Sequence, residues 1–353
     1  MTALRVDVGG RVVGDGAPAF LIAEAGVNHN GDLDLARRLV DVAAEAGADA
    51  VKFQTFRTSA LVSREAPKAA YQQLTTRGDE TQHDMLARLE LGAAEHATLK
   101  AHARARGLIF FSTPFDEASA DFLDALGVPL FKVPSGEVTN LPFLRHVAAK
   151  RKPVVLSTGM ATLAEVDAAV GAIRAAGDPP LVLLHCVSAY PAPAEDTNLR
   201  AMDTLRARFG CPVGLSDHTI GLEVAIAAVA RGAAVVEKHV TLDKRLPGPD
   251  HAASLEPPEL AALVRAIRIV ERALGDGDKR PMPSERDTRR VARKSLVAAR
   301  ALEPGDVLVR DAVAIKRPGT GISPADLEQV LGRVVARPVA TDEVLEWSAL
   351  EPR

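Results

Sequence analysis

Several residue types that can do chemistry stand just after short apolar runs in this chain. Lys52 and Gln54 lie in AVKFQTF, Thr113 in IFFSTPFD, Lys132, Ser135 and Glu137 in FKVPSGE, and Ser157 in VVLSTGM. A lysine inside an apolar strand is costly unless it is paired or placed at a wet site. Two such ammonium groups with three hydroxyls suit a small dianionic or trianionic ligand, for example a phosphorylated carboxylate. Lys52 also has a plainer reading, an ion pair with Glu24 or another strand-end carboxylate. Any single Ser or Thr here reads as a helix N-cap, so the joint position carries the argument.

His218, in VGLSDHTIG, and His239, in VVEKHVTLD, follow the last two apolar runs. Adjacent strands lie about 4.8 Å apart, so both imidazoles can reach one ion. Two histidines leave positions open for water or substrate, which fits a catalytic Mn²⁺ or Mg²⁺ better than a closed zinc site. Two hydrogen-bonded histidines are the alternative. His29, His185 and His251 are less clear, and His185 reads as a core or supporting group. Asp250, in LPGPDHAAS, reads from its surroundings as a turn aspartate.

Strand alternation decides which side chains share a face. Lys52 and Gln54 share parity, as do Ser216 and His218, and Glu237 and His239. Each pair can point to one mouth, while Val51 and Phe53 face the surrounding helices. The mouth needs a frame, and the sequence repeats one. LIAEAGVNHNG (21–31), AVKFQTF (50–56), IFFSTPFD (109–116), FKVPSGE (131–137), VVLSTGM (154–160), LLHCVSAYP (183–191), VGLSDHTIG (213–221) and VVEKHVTLD (235–243) are eight strand-and-polar-loop units. Most are separated by helical stretches rich in Ala, Leu, Arg and Glu. That repeat predicts a (β/α)8 barrel of the TIM type, whose chemistry gathers at the C-terminal ends of the strands.

Composition narrows the function classes. The chain has 353 residues, 47% hydrophobic and 25% charged, with a formal net charge of −3. No basic excess points to nucleic acid or a membrane surface, so any anion site is local. No apolar run approaches the roughly 20 residues of a membrane span. The start, MTALRVDVGGRVV, lacks the apolar core of a signal peptide, and a cytoplasmic protein is expected. Cys186 and Cys211 read as buried thiols rather than a disulfide framework.

Residues 1–17 alternate around Gly9-Gly10 and predict a β-hairpin that can plug the barrel bottom. Helix formation is expected from Asp32, over 82–106 and over 257–274. The polar stretch 57–80, with Arg57, Arg64, Lys68, Tyr71 and Arg77, is too long for a simple connection and reads as a lid or an excursion over the site. The barrel domain is expected over 1–275. GDGDKRPMPSERDTRR (275–290) has no periodicity and reads as a linker, placed at 276–290. Residues 291–353 then alternate short β runs with turns. A mostly β domain of about 60 residues is too small to be robust alone and is expected to pack on a partner.

The ordered motifs IAEAGVNHNGD, AVKFQTF, STPFD, KVPSGE, LSTGM, GLSDHT and EKHVTLD resemble the sialic acid synthase family. That family includes N-acetylneuraminate, legionaminate and pseudaminate synthases and related spore-coat polysaccharide enzymes. The likeness covers nearly the whole chain, and KRPGTGIS (316–323) resembles the family's C-terminal antifreeze-like (SAF) domain. The resemblance implies a phosphoenolpyruvate-condensing transferase acting on the open-chain aldehyde of a mannosamine-like sugar or other hexose. The C3 carbon attacks the aldehyde, water adds at C2, and phosphate leaves with C–O cleavage, giving a 3-deoxy-nonulosonic acid. It further implies a divalent metal, Mn²⁺ first with Mg²⁺ or Co²⁺ as alternatives.

Carried over position by position, Lys52, Thr113, Lys132, Ser135, Ser157 and Tyr190 look like the phosphoenolpyruvate site. His218 and His239 look like the metal ligands. Glu24 and Glu137 look like the groups that position water or move protons, with Glu237 beside the metal. Gln54 and Asp250 would meet sugar hydroxyls. Arg317 would reach the acyl substituent from the SAF domain of a second subunit, which implies a domain-swapped homodimer. Ser188 stands where sialic acid synthases proper tend to carry Asn, so N-acetylmannosamine is not assumed as substrate. A different barrel synthase, of the octulosonate or heptulosonate type, does not readily explain the SAF domain. A catalytically inactive carbohydrate- or ice-binding protein does not explain Glu24, both lysines and both histidines together.

Overall fold

The computed structural model describes residues 4–76 and 80–352. Arg77 lies outside them. The chain divides into two compact units, Met1–Gly275 and Asp276–Arg353.

The first unit opens with an antiparallel hairpin, β1 (Arg5–Val8) and β2 (Arg11–Gly14). The Cα of Gly9 at its turn faces Pro129 and Ile109 closely enough that a Cβ there would touch both. Those residues precede β6 and begin β5, so the hairpin turn packs at the N-terminal ends of these two strands. Arg11 reinforces it with an ion pair to Asp49 at 2.7 Å.

The barrel strands are β3 (Phe20–Gly26), β4 (Ala50–Thr55), β5 (Ile109–Pro114), β6 (Phe131–Val133), β7 (Val154–Ser157), β8 (Leu181–Cys186), β9 (Val213–Asp217) and β10 (Val235–His239). They form a parallel sheet of eight strands in the order β5-β4-β3-β10-β9-β8-β7-β6, and β5 packs beside β6 to close it. Phe53, Phe111 and Phe131 are fully buried in this unit's core. With few aromatics available, Ala, Val and Leu fill the rest. Each large apolar side chain so buried contributes about 1.5–3 kcal/mol.

Helices between the strands start where the caps predict. Asp32 caps Leu33–Ala46 by accepting from the amides of Asp34 and Leu35. The helix Pro257–Leu274 ends at Gly275. The expected single helix over 82–106 is two, Gln82–Ala87 and Ala93–Ala105. The break is physical: Leu89 and Leu91 turn inward, and Gly92 starts a fresh helix whose Glu95 carboxylate accepts from the Gly92 amide. The stretch 57–76 holds two short helices, Thr58–Leu61 and Ala70–Thr75. A satellite apolar cluster of Val27, Phe56, Met85 and Leu89, with Leu61 and Phe115 against it, anchors this excursion to the barrel top.

Within the second unit, β11 (Ser295–Ala298) pairs antiparallel with β12 (Val313–Lys316). Its own core includes Leu296, Leu308, Ile322, Val335 and Leu345. The stretch read as an aperiodic linker carries a helix at Arg286–Ala292, because Arg and Ala propagate helices well even without an apolar stripe. Both cysteines are free and buried. No helix among the described residues is long and apolar enough to cross a membrane.

Candidate active site

The C-terminal ends of the barrel strands surround a cavity of about 420 Å³, a size suited to a small ligand. Strand register builds its floor. Glu24 pairs with Lys52 and with His239 across β3, β4 and β10, and Gln54 pairs with Thr113 across β4 and β5. The Lys52 ammonium is 3.0 Å from Glu24 Oε1 and 3.5 Å from Glu237 Oε2, and it donates to Thr113 Oγ1 at 2.9 Å. Lys132 stands 3.7 Å from Glu237 Oε1 and donates to Ser157 Oγ at 2.8 Å. Ser216 Oγ donates to Glu237 Oε1 at 2.8 Å, and Gln54 Nε2 to Glu24 Oε1 at 3.3 Å. Lys52 therefore satisfies both of its readings: it is ion-paired with Glu24, and it lines the mouth.

Burial sets the protonation pattern. It is the largest influence on Glu24 and, with the nearby Glu237 charge, lifts that carboxyl to about 7 against the opposing pull of Lys52. Glu237 is equally buried, but Lys132 and then Lys52 outweigh burial and hold it at about 2. Burial would lower Lys52, yet Glu237 and Glu24 overcome it and raise the ammonium. For Lys132 burial wins, and its affinity for a proton falls. Two carboxylates on one floor are thus pushed apart, one fixed as a charge and one poised to exchange a proton near neutrality.

The histidines close one side. Their ring centroids are 5.4 Å apart, with the Tyr190 ring tilted against His218 at 4.2 Å. His218 Nδ1 is 2.7 Å from the Val187 carbonyl, so Nδ1 donates there, and in the neutral ring Nε2 keeps its lone pair. His239 Nδ1 is buried without a hydrogen-bond partner. Burial, followed by His218 and Lys52, pushes His239 well below the usual imidazole range, so it is neutral. His218 is shifted upward instead: Cys186 Sγ at 3.8 Å and the Val187 carbonyl outweigh burial. Among the described residues no set of three or more His, Cys, Asp or Glu gathers as a metal cage. Two imidazoles with an orphaned buried nitrogen fit an ion held at two protein points, with its other positions left to substrate or water.

Asp250 is not a solvated turn residue. It is buried, lines the cavity, and lies 3.8 Å from His239 Nδ1, and burial lifts its carboxyl to about 6. Ser135, Ser188 and Tyr190 line the cavity too. The structure does not bring Glu137 there. The chain turns at Pro134 into a short 3-10 helix, and the Glu137 carboxylate accepts from Asn140 Nδ2 at 2.6 Å. Arg317 is exposed in the second unit. Cavity residues with no role assigned from sequence include Tyr71, Cys186 and Met160. Cys186 ends β8 in register with Ser216, and that strand-end position is the signal that could have placed the thiol at the mouth. Tyr71 packs its ring, tilted, against Tyr190 at 5.1 Å and brings the 57–76 excursion to the site.

One glycine is required by this packing. Gly159 donates its amide to Ser135 Oγ at 2.8 Å, and a Cβ on it would collide with Ser188 Oγ and Ser135 Oγ and press on Cys186 Sγ. Gly159→Ala is expected to raise the KM of the anionic substrate at least about tenfold, the effect of displacing one good charge-assisted contact. An unchanged KM would show that these hydroxyls do not touch it.

A model of the NeuB family matches residues 39–279, and one of the SAF domain matches residues 293–351. The chain belongs to the NeuB family. It is 46% identical to the N,N'-diacetyllegionaminic acid synthase of Campylobacter jejuni over 92% of this chain and 98% of that one. It is likewise 46% identical to the enzyme of the same name from Legionella pneumophila, over 96% of each chain. Among solved structures, the N-acetylneuraminic acid synthetase of Leptospira borgpetersenii is 36% identical, with a TM-score of 0.71 over 81% of this chain and 95% of that one. The eight-stranded barrel and the C-terminal SAF domain are therefore this family's architecture.

Proposed function

We propose that this NeuB-family chain condenses phosphoenolpyruvate with an N-acylated, mannosamine-like aldose to give a 3-deoxy-nonulosonic acid and phosphate. The observation that carries the reading is the pair of buried lysines sharing Glu237, each also bonded to a strand-end hydroxyl. Lys52 with Thr113, and Lys132 with Ser157, hold the phosphate and carboxylate, while Ser135, Ser188 and Tyr190 complete the wall. Binding energy spent on these fixed anions orients C3 toward the aldehyde. Glu24, poised near neutrality, holds or passes the proton of the water that adds at C2. Glu237 stays charged and balances the lysines. Gln54 and Asp250 meet sugar hydroxyls. His218 and His239 would hold a divalent ion, Mn²⁺ first and Mg²⁺ or Co²⁺ as alternatives, which would supply Lewis-acid polarisation of the aldehyde. Glu137 has no part in this set.

The two legionaminate relatives favour a diacetamido-trideoxy acceptor over N-acetylmannosamine. Phosphate release from phosphoenolpyruvate with Mn²⁺, across N-acetylmannosamine, mannose and the diacetamido-trideoxy mannose and altrose, tests this. Release with one acetamido sugar, abolished by chelation, is expected; release with none refutes the reading. We also propose that Arg317 completes the site of a second copy of the chain in a swapped dimer. Deleting residues 285–353 should then abolish turnover while the barrel still folds, and an active truncation would refute it.

Acid stability follows from histidines behind the mouth. Burial, followed by the nearby His96 and His251, lowers His29 to about 4, and burial lowers His251 to about 4. Both take up protons more readily unfolded than folded, so the stability they contribute is complete above about 6.5. It is lost as pH falls from there through 4. The Tm should drop across that window, and His29→Gln should flatten the drop. An identical slope in the variant would contradict it.

A further inference from the structure

Asn28 lies behind the cavity, 2% exposed, and does not line it. Its side-chain amide donates twice, to the Val240 carbonyl at 2.8 Å and to Ser254 Oγ at 2.9 Å. Ser254 Oγ in turn donates to the Asp250 carbonyl at 2.7 Å. The serine's single proton is committed there, so toward residue 28 it can only accept. Val240 directly follows His239, and its amide donates to the Glu24 carbonyl at 2.8 Å. The Leu255 amide donates to the His239 carbonyl at 2.8 Å. One amide group thus ties together the loop after Glu24, the strand end carrying His239 and the loop carrying Asp250. Both partners of Asn28 Nδ2 are acceptors, so position 28 requires two donors on one atom. Asn supplies them; the isosteric Asp does not.

We infer that Asn28 is a positioning residue for the acceptor-sugar half of the site, acting through Val240 on His239 and through Ser254 on Asp250. The inference rests on the synthase reading above. The anion half, on β4, β5, β6 and β7, receives no bond from Asn28, and this predicts a split between the two substrates. Groups that orient a metal ligand from behind typically change metal affinity or activity 10–100-fold.

Asn28→Asp and Ser254→Ala, singly and combined, test it in the full-length protein. Steady-state kinetics for each substrate would be paired with Mn²⁺ binding by electron paramagnetic resonance. Expected are a sugar KM raised about tenfold or more, a phosphoenolpyruvate KM within about twofold, weaker Mn²⁺ binding in Asn28→Asp, and a double variant no worse than the worse single one. Equal rises for both substrates would reduce Asn28 to a general fold contact and overturn the inference. So would unchanged sugar KM and Mn²⁺ affinity, or fully additive effects. Should Asn28→Asp fail to fold, Ser254→Ala alone decides, because it cuts only the Asp250 arm and must still raise the sugar KM. If the wild type consumes no phosphoenolpyruvate with any sugar, the synthase reading fails, and Mn²⁺ binding to the variants still decides the role of Asn28.

Discussion

Replacing His239 by Ala is expected to lower turnover about a thousandfold, on the scale of losing one preorganised electrostatic contact to a transition state. The imidazole is buried beside Asp250, neutral, and carries a ring nitrogen with no partner in the protein. A neutral, desolvated, unpartnered imidazole is an expensive thing to keep unless something binds it. Without it His218 alone would face a divalent ion, and one protein ligand retains little affinity. Mn²⁺ binding should fall with turnover, while circular dichroism shows an intact barrel. Wild-type turnover in a variant stripped of metal and reconstituted would contradict the assignment.

Lys238→Met is expected to destabilise the fold by about 3–5 kcal/mol. Lys238 and Asp217 pair across β10 and β9, their side chains 1% and 0% exposed, with the ammonium 2.7 Å from Asp217 Oδ2. The ammonium also donates to the Thr219 carbonyl at 2.6 Å, just beyond His218. Methionine fills the same space but leaves Asp217 as a buried charge with only the Thr219 amide and hydroxyl for company. Adding Asp217→Asn removes that charge and should recover most of the loss. Denaturant unfolding measures both variants. A single variant within about 1 kcal/mol of wild type, well short of that range, would contradict the argument, as would a double variant no better than the single. The same pair braces the two strand ends that carry the histidines, so the single variant should also bind Mn²⁺ more weakly.

Period-two alternation set three pairs at the mouth, Lys52 with Gln54, Ser216 with His218 and Glu237 with His239, and all six line the cavity. Lys52 and Gln54, and Glu237 and His239, point into the mouth because they sit inside continuous strands where parity holds. Glu137, expected from the resemblance alone, lies off the cavity because β6 ends at Val133 and the chain turns at Pro134 into a 3-10 helix, beyond the reach of any strand alternation. Asp250 could not be told from a turn aspartate locally, since its burial comes from contacts far along the chain. Tyr71 belongs to a stretch without periodicity, held by a small apolar cluster that only the assembled barrel creates. The opposite proton affinities of Glu24 and Glu237 likewise depend on which carboxylate both lysines reach, a matter of distances that no motif encodes.

The most direct test follows the bridging oxygen of phosphoenolpyruvate. With ¹⁸O between C2 and phosphorus, an acetamido-mannose acceptor and Mn²⁺, the protein is expected to release phosphate carrying the label and to form a nonulosonic acid without it. Unlabelled phosphate would mean that the phosphorus–oxygen bond breaks instead, and would contradict water addition at C2. Release of phosphate without any nine-carbon product would contradict the synthase itself.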